Sequence, residues 1–368
     1  MEKSCYIQGD KKMDKKILQE KMREIYEKTL EESSKKNDAD YSMEYFFGQY
    51  GKSPSWCIGP MKKDESLTFR KNVQWNDPTE TGWKSGFLFN PSAIEKDGKL
   101  YLFYRAAPRM ETLCSRIGLA VYTEEKGWED YQNNPVVFPV VEDEVYGTED
   151  PKVYQIKDDS YILFYNGVSP ITEEVRAELT AEGTEVPSLV CTVKAMVSKD
   201  LLHWERVGQI VPTEVSRYWA KGAVIPRNPR GEAVKINGEY LMYLSEGCGG
   251  KQVIGHSEDM IHWTFVQQEY LKIDELGSIC EVACAVVDDE KDQNTLLLDV
   301  YYHTKEGKRA GLQALYSRQH PFEQLELNFG ATLCWGGLWK YRGKWMCAQG
   351  WDAEEGNEEI YFYTTETK

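Results

Sequence analysis

The chain has 368 residues, a length that suggests two domains unless an internal repeat joins them into one. It carries 44 Lys and Arg against 60 Asp and Glu, a formal net charge of −16, so nucleic acid and anionic membrane surfaces are unfavourable partners. It has neither an apolar run long enough to cross a membrane nor the apolar segment of a signal peptide near its start, which predicts a cytoplasmic protein.

The first element is an amphipathic helix. From Met13 to Leu30, apolar residues recur at three- and four-residue intervals within a highly charged stretch that ends near residue 37. No comparable helical pattern follows, so we expect a helical extension over residues 1–60. This helix either straps the rest of the chain or contacts a second subunit, which would make the protein a homo-oligomer.

Beyond residue 86 the pattern is that of short strands, and it repeats. Ser198-Lys-Asp200-Leu-Leu-His203-Trp204 recurs 59 residues later as Ser257-Glu-Asp259-Met-Ile-His262-Trp263, in what we expect to be the outer strand of a repeated unit. Each copy follows a Tyr-rich strand, and there are five such strands, at residues 101–104, 161–165, 240–243, 296–302 and 344–347. Each of these follows another short apolar segment. The repeat predicts an all-β fold, a five-bladed β-propeller over residues 61–368.

The propeller predicts where a site should lie. The first strand of each blade lines the central channel, and its first residues crowd one mouth. The polar residues there are Asn90, Glu149, Asp150, Lys221, Glu281 and Trp335. Burying such a set without a ligand would be costly, so we expect a binding site. Nearby aromatic residues either stack on sugar rings or pack in the core; they are Tyr218, Trp219, Trp335 and Trp351.

Seven segments carry a family resemblance: Asn90-Pro-Ser-Ala, Tyr104-Arg105-Ala, Thr148-Glu-Asp150-Pro-Lys152, Ala195-Met-Val-Ser198-Lys-Asp200, Lys221-Gly-Ala-Val-Ile-Pro226, Tyr302-His303 and Gly350-Trp-Asp352. In this order they resemble glycoside hydrolase family 130, the β-mannoside phosphorylases and β-1,2-mannosidases. That family is related to the propeller glycosidases of family 43 type.

The resemblance implies an oligosaccharide substrate and Asp150 as the general acid. It also implies that Lys221 and His303 contact phosphate or the groups that replace it, and that Asp352 binds sugar. Together with the residues at the channel mouth, these segments give the expected substrate-binding set: Asn90, Arg105, Glu149, Lys152, Lys221, His303, Trp335 and Asp352.

Departures from the family pattern favour water over phosphate as the nucleophile. Lys152 and Thr192 stand where the phosphorylases carry arginines, and neither provides the bidentate fork that suits phosphate. Glu281 would repel phosphate but could activate water. Inverting hydrolysis uses two carboxyl groups roughly 6.5 to 9.5 Å apart, and we predict Asp150 as the acid and Glu281 as the base.

Two alternatives remain open. In the first, inorganic phosphate binds at Lys221 and His303 and the enzyme is an inverting phosphorylase. In the second, the propeller binds sugar without catalysis, although it would then have no use for an acid and a base across its channel. We expect no metal and no cofactor, because Cys280 and Cys284 lack the further ligands of a zinc site.

Other motifs are assigned to structure. The Gly cluster at residues 246–250 lacks the helix and Lys-Ser/Thr pair of a phosphate loop and is expected to be a tight turn. The two His-Trp pairs are expected to pack the blades. Trp75-Asn-Asp77-Pro resembles a blade-opening motif of fructan and sucrose hydrolases, but no strand follows it directly.

Overall fold

The structure is a computed structural model, and it describes residues 14–32, 43–70, 82–84, 86–108, 114–183, 186–332, 335–351 and 359–366. Two helices come first, α1 (Lys15–Glu32) and α2 (Met43–Gly48). The amphipathic helix predicted from the sequence is therefore confirmed as α1. In the part of the chain described, no helix combines the length and apolar character needed to cross a bilayer.

Helix α1 packs on the propeller. Leu18 and Met22 are buried against Val145, with Ile25 and Tyr146 beside them. This contact covers the apolar stripe that the sequence spacing predicts. The extension therefore lies against the segment that leads into the second blade.

Blades 1 and 2 are regular four-stranded antiparallel sheets, ordered from the channel outwards. Blade 1 comprises β3 (Phe87–Lys96), β4 (Lys99–Ala107), β5 (Arg116–Thr123) and β6 (Gly127–Asp130), which follow two short strands, β1 (Lys62–Lys63) and β2 (Phe69–Arg70). Blade 2 comprises β7 (Gly147–Lys157), β8 (Ser160–Pro170), β9 (Leu189–Ser198) and β10 (Trp204–Gln209).

Two further helices flank the channel mouth, and the sequence analysis did not predict them. Helix α3 (Glu173–Ala181) joins β8 to β9, and the Thr172 side chain caps it by accepting a hydrogen bond from the Val175 amide at 3.3 Å. The short α4 (Thr213–Ser216) follows β10. Helix α3 has only nine residues, too few for a clear helical period in the sequence.

Blades 3 and 4 differ in regularity. In blade 3, β12 (Tyr240–Leu244), β14 (Val253–Ser257) and β15 (Thr264–Gln267) form the sheet, while β11 (Ala220–Lys221) pairs with β13 (Glu246–Gly247) at the mouth. The innermost position is held by a bridge between Val224 and Tyr243 rather than by a regular strand. Blade 4 is again a four-stranded sheet, made of β16 (Gly277–Val286), β17 (Thr295–Thr304), β18 (Arg309–Ser317) and β19 (His320–Phe329).

Blade 5 closes the ring with strands from distant parts of the chain. Strands β20 (Trp339–Tyr341), β21 (Lys344–Gln349) and β22 (Glu359–Thr364) form its inner part. Strands β1 and β2 both pair with β22, with Lys62 opposite Thr364 and Phe69 opposite Ile360. The five-bladed propeller predicted from the repeat is confirmed.

The repeated motif builds the same turn twice. In the first copy, Ser198 Oγ accepts from the Leu201 amide at 2.9 Å, and the carboxylate of Asp200 contacts His203 Nδ1 at 2.7 Å. The second copy gives the same two contacts at the same distances. The two tryptophans pack as predicted, Trp204 on Phe103 and Trp263 on Phe164. The two histidines are exposed instead, and the motif forms the turn that leads into the outermost strand and not the strand itself.

Candidate active site

Residues from all five blades line one cavity at the channel mouth, which we call the central cavity. Its lining residues include Asn90, Arg105, Asp150, Lys152, Lys221, Glu246, Glu281, Tyr301, Trp335 and Trp351. The predicted inner-strand residues thus converge, because each blade presents the start of its first strand to the same mouth.

Two strained bulges aim Asn90 and Asp150 into this cavity. Both have left-handed backbones, with φ of 46° and 51°, and the pairing of β3 with β4 and of β7 with β8 shifts register at these positions. Such a backbone costs on the order of 1 to 3 kcal/mol at a residue other than glycine, and strained residues of this kind cluster at functional sites. The two bulges bring Asn90 Nδ2 to 2.5 Å from Asp150 Oδ1, to which it donates.

Two cations hold the Asp150 carboxylate. Arg105 Nη1 donates to Asp150 Oδ1 at 3.1 Å, and Lys221 Nζ donates to Asp150 Oδ2 at 3.1 Å. The same cations bind Glu149, at 2.7 Å from Arg105 Nη2 and at 3.2 Å from Lys221 Nζ. Two carboxylates and two cations thus form one buried network.

This network sets the charge of Asp150. Burial alone would raise its pKa, but Lys221 and Arg105, with the hydrogen bond from Asn90, hold it well below the usual range. Burial likewise opposes the charge of Lys221, but Asp150 and Glu149 raise the pKa of this lysine well above its usual value. In the free protein, both groups of the ion pair are therefore charged.

Glu281 has the opposite environment. Burial, together with the nearby carboxylates Glu246 and Asp150, raises its pKa to about 8, although Lys152 and Lys221 partly oppose this shift. Lys152 Nζ lies 3.8 Å from Glu281 Oε1 and donates to the backbone carbonyls of Ala283, at 3.3 Å, and Trp335. Burial also raises the pKa of Glu246. At neutral pH, Glu281 therefore holds a proton for most of the time.

The protonation states of the two candidate catalytic carboxyls are thus opposite to those that their predicted roles require at the start of a reaction. An acid must begin with a proton and a base without one, yet the surroundings favour an ionised Asp150 and a protonated Glu281. An inverting reaction moves a proton off the acid and another onto the base. The free protein therefore has the proton arrangement with which a turnover ends.

Aromatic rings form the other side of the cavity, and we call them the aromatic wall. They are Phe46, Tyr301, Trp335 and Trp351, and the centroids of neighbouring rings in this order are 5.7, 5.0 and 5.9 Å apart. Phe89 packs on Trp351 at 5.1 Å and supports the wall without lining the cavity. Such rings match the apolar faces of sugars. The cavity can thus hold a sugar between an apolar wall and a charged network.

The structure describes seven of the eight predicted substrate-binding residues. Five line the central cavity: Asn90, Arg105, Lys152, Lys221 and Trp335. Glu149 lies behind Asp150, where it is 6% exposed and bound to Arg105 and Lys221. Asp352 lies outside the described residues, as does the motif at Trp75 and Asp77.

His303 lies away from the central cavity. It is in β17 opposite Ser278 and faces a neighbouring cavity, which we call the blade 4 cavity. The two cavities share Glu246 and Cys280 as lining residues. His303 is therefore near the candidate catalytic groups without joining their network.

Other lining residues were not predicted from the sequence, among them Phe46, Glu246, Tyr301 and Arg309. Phe46 lies on the six-residue α2, where the sequence gives no signal. Glu246 and Tyr301 lie near the ends of second strands, and Arg309 is the first residue of a third strand. These points reach the same mouth as the starts of the first strands. Extending the search to those strand ends would have found them.

A family model described as beta-1,4-mannooligosaccharide phosphorylase, Glyco_hydro_130, matches residues 60–283. The 1,2-beta-oligomannan phosphorylase of Thermoanaerobacter sp. (strain X514) is 28% identical over 169 residues, which are 44% of this chain and 47% of that protein. The match thus spans less than half the length of this curated relative.

Solved structures share the fold. A glycosyl hydrolase from Bacteroides ovatus has a TM-score of 0.60 at 17% identity, covering 86% of this chain and 96% of that one. A second structure has the same TM-score and identity and covers 85% and 96%. It is described with the statement that the GH130 family of mannoside phosphorylases contains glycoside hydrolases that target beta-1,2 mannosidic linkages in Candida mannan.

Proposed function

The chain belongs to glycoside hydrolase family 130, and on this premise we propose that it is an enzyme that hydrolyses a β-mannosidic bond in an oligosaccharide with inversion. We choose water as the nucleophile because the lysines of the cavity and Arg105 are already paired with carboxylates. Arg105 and Lys221 bind both Glu149 and Asp150, and Lys152 faces Glu281.

This pairing disfavours a bound phosphate. A phosphate dianion needs several cationic donors, and here it would compete with the carboxylates that already occupy them. In the reactive state, in which Glu281 is ionised as the base, its charge would also repel a phosphate in a buried place where charge is weakly screened. Water has no such requirement, and a carboxylate beside it can act as its base.

In the proposed reaction, Asp150 gives its proton to the glycosidic oxygen as the bond to the anomeric carbon breaks. Glu281 takes a proton from the water that attacks the opposite face of the sugar. The pair loses one proton and gains one, so the turnover ends with Asp150 ionised and Glu281 protonated. A net proton return from Glu281 to Asp150 precedes the next cleavage.

Phosphorolysis is the second candidate, because the matching family model and the Thermoanaerobacter relative are both described as phosphorylases. Phosphate would then replace water, and the product would be a sugar 1-phosphate. Lys221 would be its donor, but His303 faces the blade 4 cavity and not the network around Lys221.

One experiment separates the two candidates. Purified protein is incubated with β-1,2- and β-1,4-linked mannooligosaccharides, with and without millimolar phosphate, and the products are analysed. We expect free mannose at a rate that does not depend on phosphate. A strong rise in rate with phosphate, together with mannose 1-phosphate as the product, would establish phosphorolysis instead. Asp150→Asn, purified in the same way, controls for contaminating activity.

A further inference from the structure

The central cavity is small for a bond that joins two sugars. Its volume is about 130 Å³, whereas ligand sites usually measure roughly 300 to 1,000 Å³. A glycosidic bond has a sugar unit on each side, at least when the substrate is an oligosaccharide, as the proposed function assumes. One unit can lie in the central cavity, and the other needs an adjoining space.

A larger cavity of about 680 Å³ adjoins it between blades 2 and 3, and we call this the rim pocket. Its lining residues are Gly183, Pro187, Ser188, Arg217, Trp219, Gly247, Gly249 and Gly250.

The rim pocket and the central cavity are built on the same pair of strands. In the pairing of β11 with β13, Lys221 is opposite Glu246, and Ala220 is opposite Gly247. Lys221 and Glu246 line the central cavity, whereas Gly247 and Trp219 line the rim pocket. The two spaces therefore meet at this short strand pair, and a ligand that leaves the central cavity past Lys221 reaches the rim pocket beside it.

Trp219 gives the rim pocket a surface suited to a sugar. Its ring lies 5.6 Å from Lys221 Nζ, so the same indole borders the catalytic network. The residue is partly exposed, and within the described part of the chain its indole N–H donates to no protein acceptor. An open ring face with a free N–H at its edge can stack on a pyranose and donate to a hydroxyl.

The surroundings hold Trp219 in place. Arg217 and Tyr218, which precede it, both have left-handed backbones, with φ of 52° and 66°. Their side chains anchor to helix α3, since Tyr218 Oη donates to Glu178 at 2.8 Å and Arg217 pairs with Glu178 and Glu182. The pocket is therefore formed before any ligand arrives.

Glycine keeps the rim pocket open beside the ring. A Cβ on Gly247 would lie 1.9 Å from the Trp219 carbonyl oxygen, so only glycine allows this close approach. A Cβ on Gly250 would meet nothing within 4 Å, so the pocket has free space on that side.

We propose that the rim pocket binds the sugar units beyond the one in the central cavity, with Trp219 as their stacking surface. This proposal rests on the proposed function for the identity of the sugar. The competing space is the blade 4 cavity, of about 450 Å³, whose described lining contains no Trp, Tyr or Phe. It offers no comparable ring face to a pyranose.

The test measures binding, so that it does not depend on turnover. In the Asp150→Asn background, calorimetry gives the affinities for mannose and for β-1,2- and β-1,4-linked mannotriose. We expect Trp219→Ala to lower the ratio of mannotriose to mannose affinity by about tenfold, the contribution of one stacked ring. Trp219→Phe should keep most of this ratio.

Two further variants make the result specific. Ser188 is exposed in the rim pocket, so Ser188→Trp blocks the pocket without burying a new side chain, and it should lower the same ratio. Lys251→Ala removes a side chain from the blade 4 cavity and should leave the ratio unchanged.

Each outcome has one meaning. A ratio that survives both Trp219→Ala and Ser188→Trp, or that falls only with Lys251→Ala, overturns the proposal, as does a failure of mannotriose to bind at all. If the ratio falls as expected but the wild-type protein releases no mannose, the rim pocket stands and the hydrolase proposal fails. If mannose is released but the ratio does not move, the reverse holds.

Discussion

At the scale of single residues, the site depends on two carboxyls that differ in what surrounds them. Asp150 contacts two cations and an amide donor, whereas Glu281 has one lysine at 3.8 Å and other carboxylates nearby. Environments that push two pKa values apart are typical of acid and base pairs in catalysis. Comparing substrates with good and poor leaving groups distinguishes the acid from the base.

The first prediction concerns those roles. Asp150→Asn should lower turnover of mannooligosaccharides by about 10² to 10⁴, the usual contribution of acid catalysis, and should affect activated aryl β-mannosides much less. Glu281→Gln should lower the turnover of both substrates alike, because the attacking water needs its base in either case. Steady-state rates on the two substrates check this. If Glu281→Gln instead retains its activity on the aryl substrate, Glu281 is the acid. The free protein, with Glu281 protonated and Asp150 ionised, is then already in the state that begins a turnover.

The second prediction concerns pH. The carboxyl pair keeps one proton until the pH exceeds the pKa of Glu281, so kcat/KM should fall above about pH 8. Lys152 lowers this pKa and Glu246 raises it. Lys152→Met should therefore move the alkaline limb to higher pH, and Glu246→Gln should move it to lower pH. Profiles of kcat/KM against pH are measured for both variants. If the alkaline limb stays fixed or moves in the opposite directions, a group other than Glu281 causes it.

At the scale of elements, the two helices of the N-terminal extension have different roles. Helix α1 packs against the outside of the propeller through Leu18 and Met22. Helix α2 carries Phe46, which lines the central cavity and begins the aromatic wall. The extension is therefore in part a component of the site.

The third prediction compares these helices. Met22→Asp puts a charge in the buried face of α1 and should expose this helix to protease, while kcat/KM stays close to that of the wild type. Phe46→Ala removes part of the aromatic wall and should lower kcat/KM by about tenfold, similar to the loss of a well-fitted apolar contact. Limited proteolysis and steady-state kinetics measure the two effects. Equal losses of activity in the two variants would contradict this division.

The sequence predicts the regular elements well and the irregular ones poorly, for physical reasons. A blade repeats its hydrophobic alternation and its Ser-Asp-His-Trp turn, so a period near 60 residues is visible. Strands β1 and β2 have two residues each, too few for any period. Their pairing with β22 depends on ring closure, which only the complete fold creates.

The candidate site follows the same division. Asn90, Asp150, Lys221 and Glu281 could be predicted because they begin successive inner strands. Glu246 was missed although it closely follows the second strand of blade 3, because the glycines beside it gave the stronger sequence signal. The protonation of Glu281 was also beyond the sequence, because burial and the neighbouring carboxylates raise its pKa only once the blades have assembled.

At the scale of the whole molecule, the ring is closed by contacts between its first and last blades. Phe69 of β2 is 1% exposed and packs on Tyr104 and Trp128 of blade 1, with ring centroids 5.2 and 5.5 Å away. Since β2 itself pairs with β22 of blade 5, this one side chain joins the two blades.

The fourth prediction tests this closure. Phe69→Ala should destabilise the protein by about 3 to 5 kcal/mol, the usual cost of deleting a buried phenyl ring. Phe329→Ala makes the same chemical change at a side chain that is 53% exposed, and it should alter the stability by no more than about 0.5 kcal/mol. Chemical denaturation gives both values. Similar losses in the two variants would show that Phe69 does not hold the ring closed.

The pairing of β1 with β22 also sets an order of events during synthesis. Lys62 leaves the ribosome early and its partner Thr364 leaves 364 − 62 = 302 residues later. Blades 1 to 4 can form as they emerge, since each is built from one continuous stretch of chain, but they form an open crescent. Until β22 arrives, the sides of blades 1 and 4 that face blade 5 stay uncovered. The nascent chain must therefore remain soluble with part of its future core exposed, and the central cavity gains its fifth wall only at the last step.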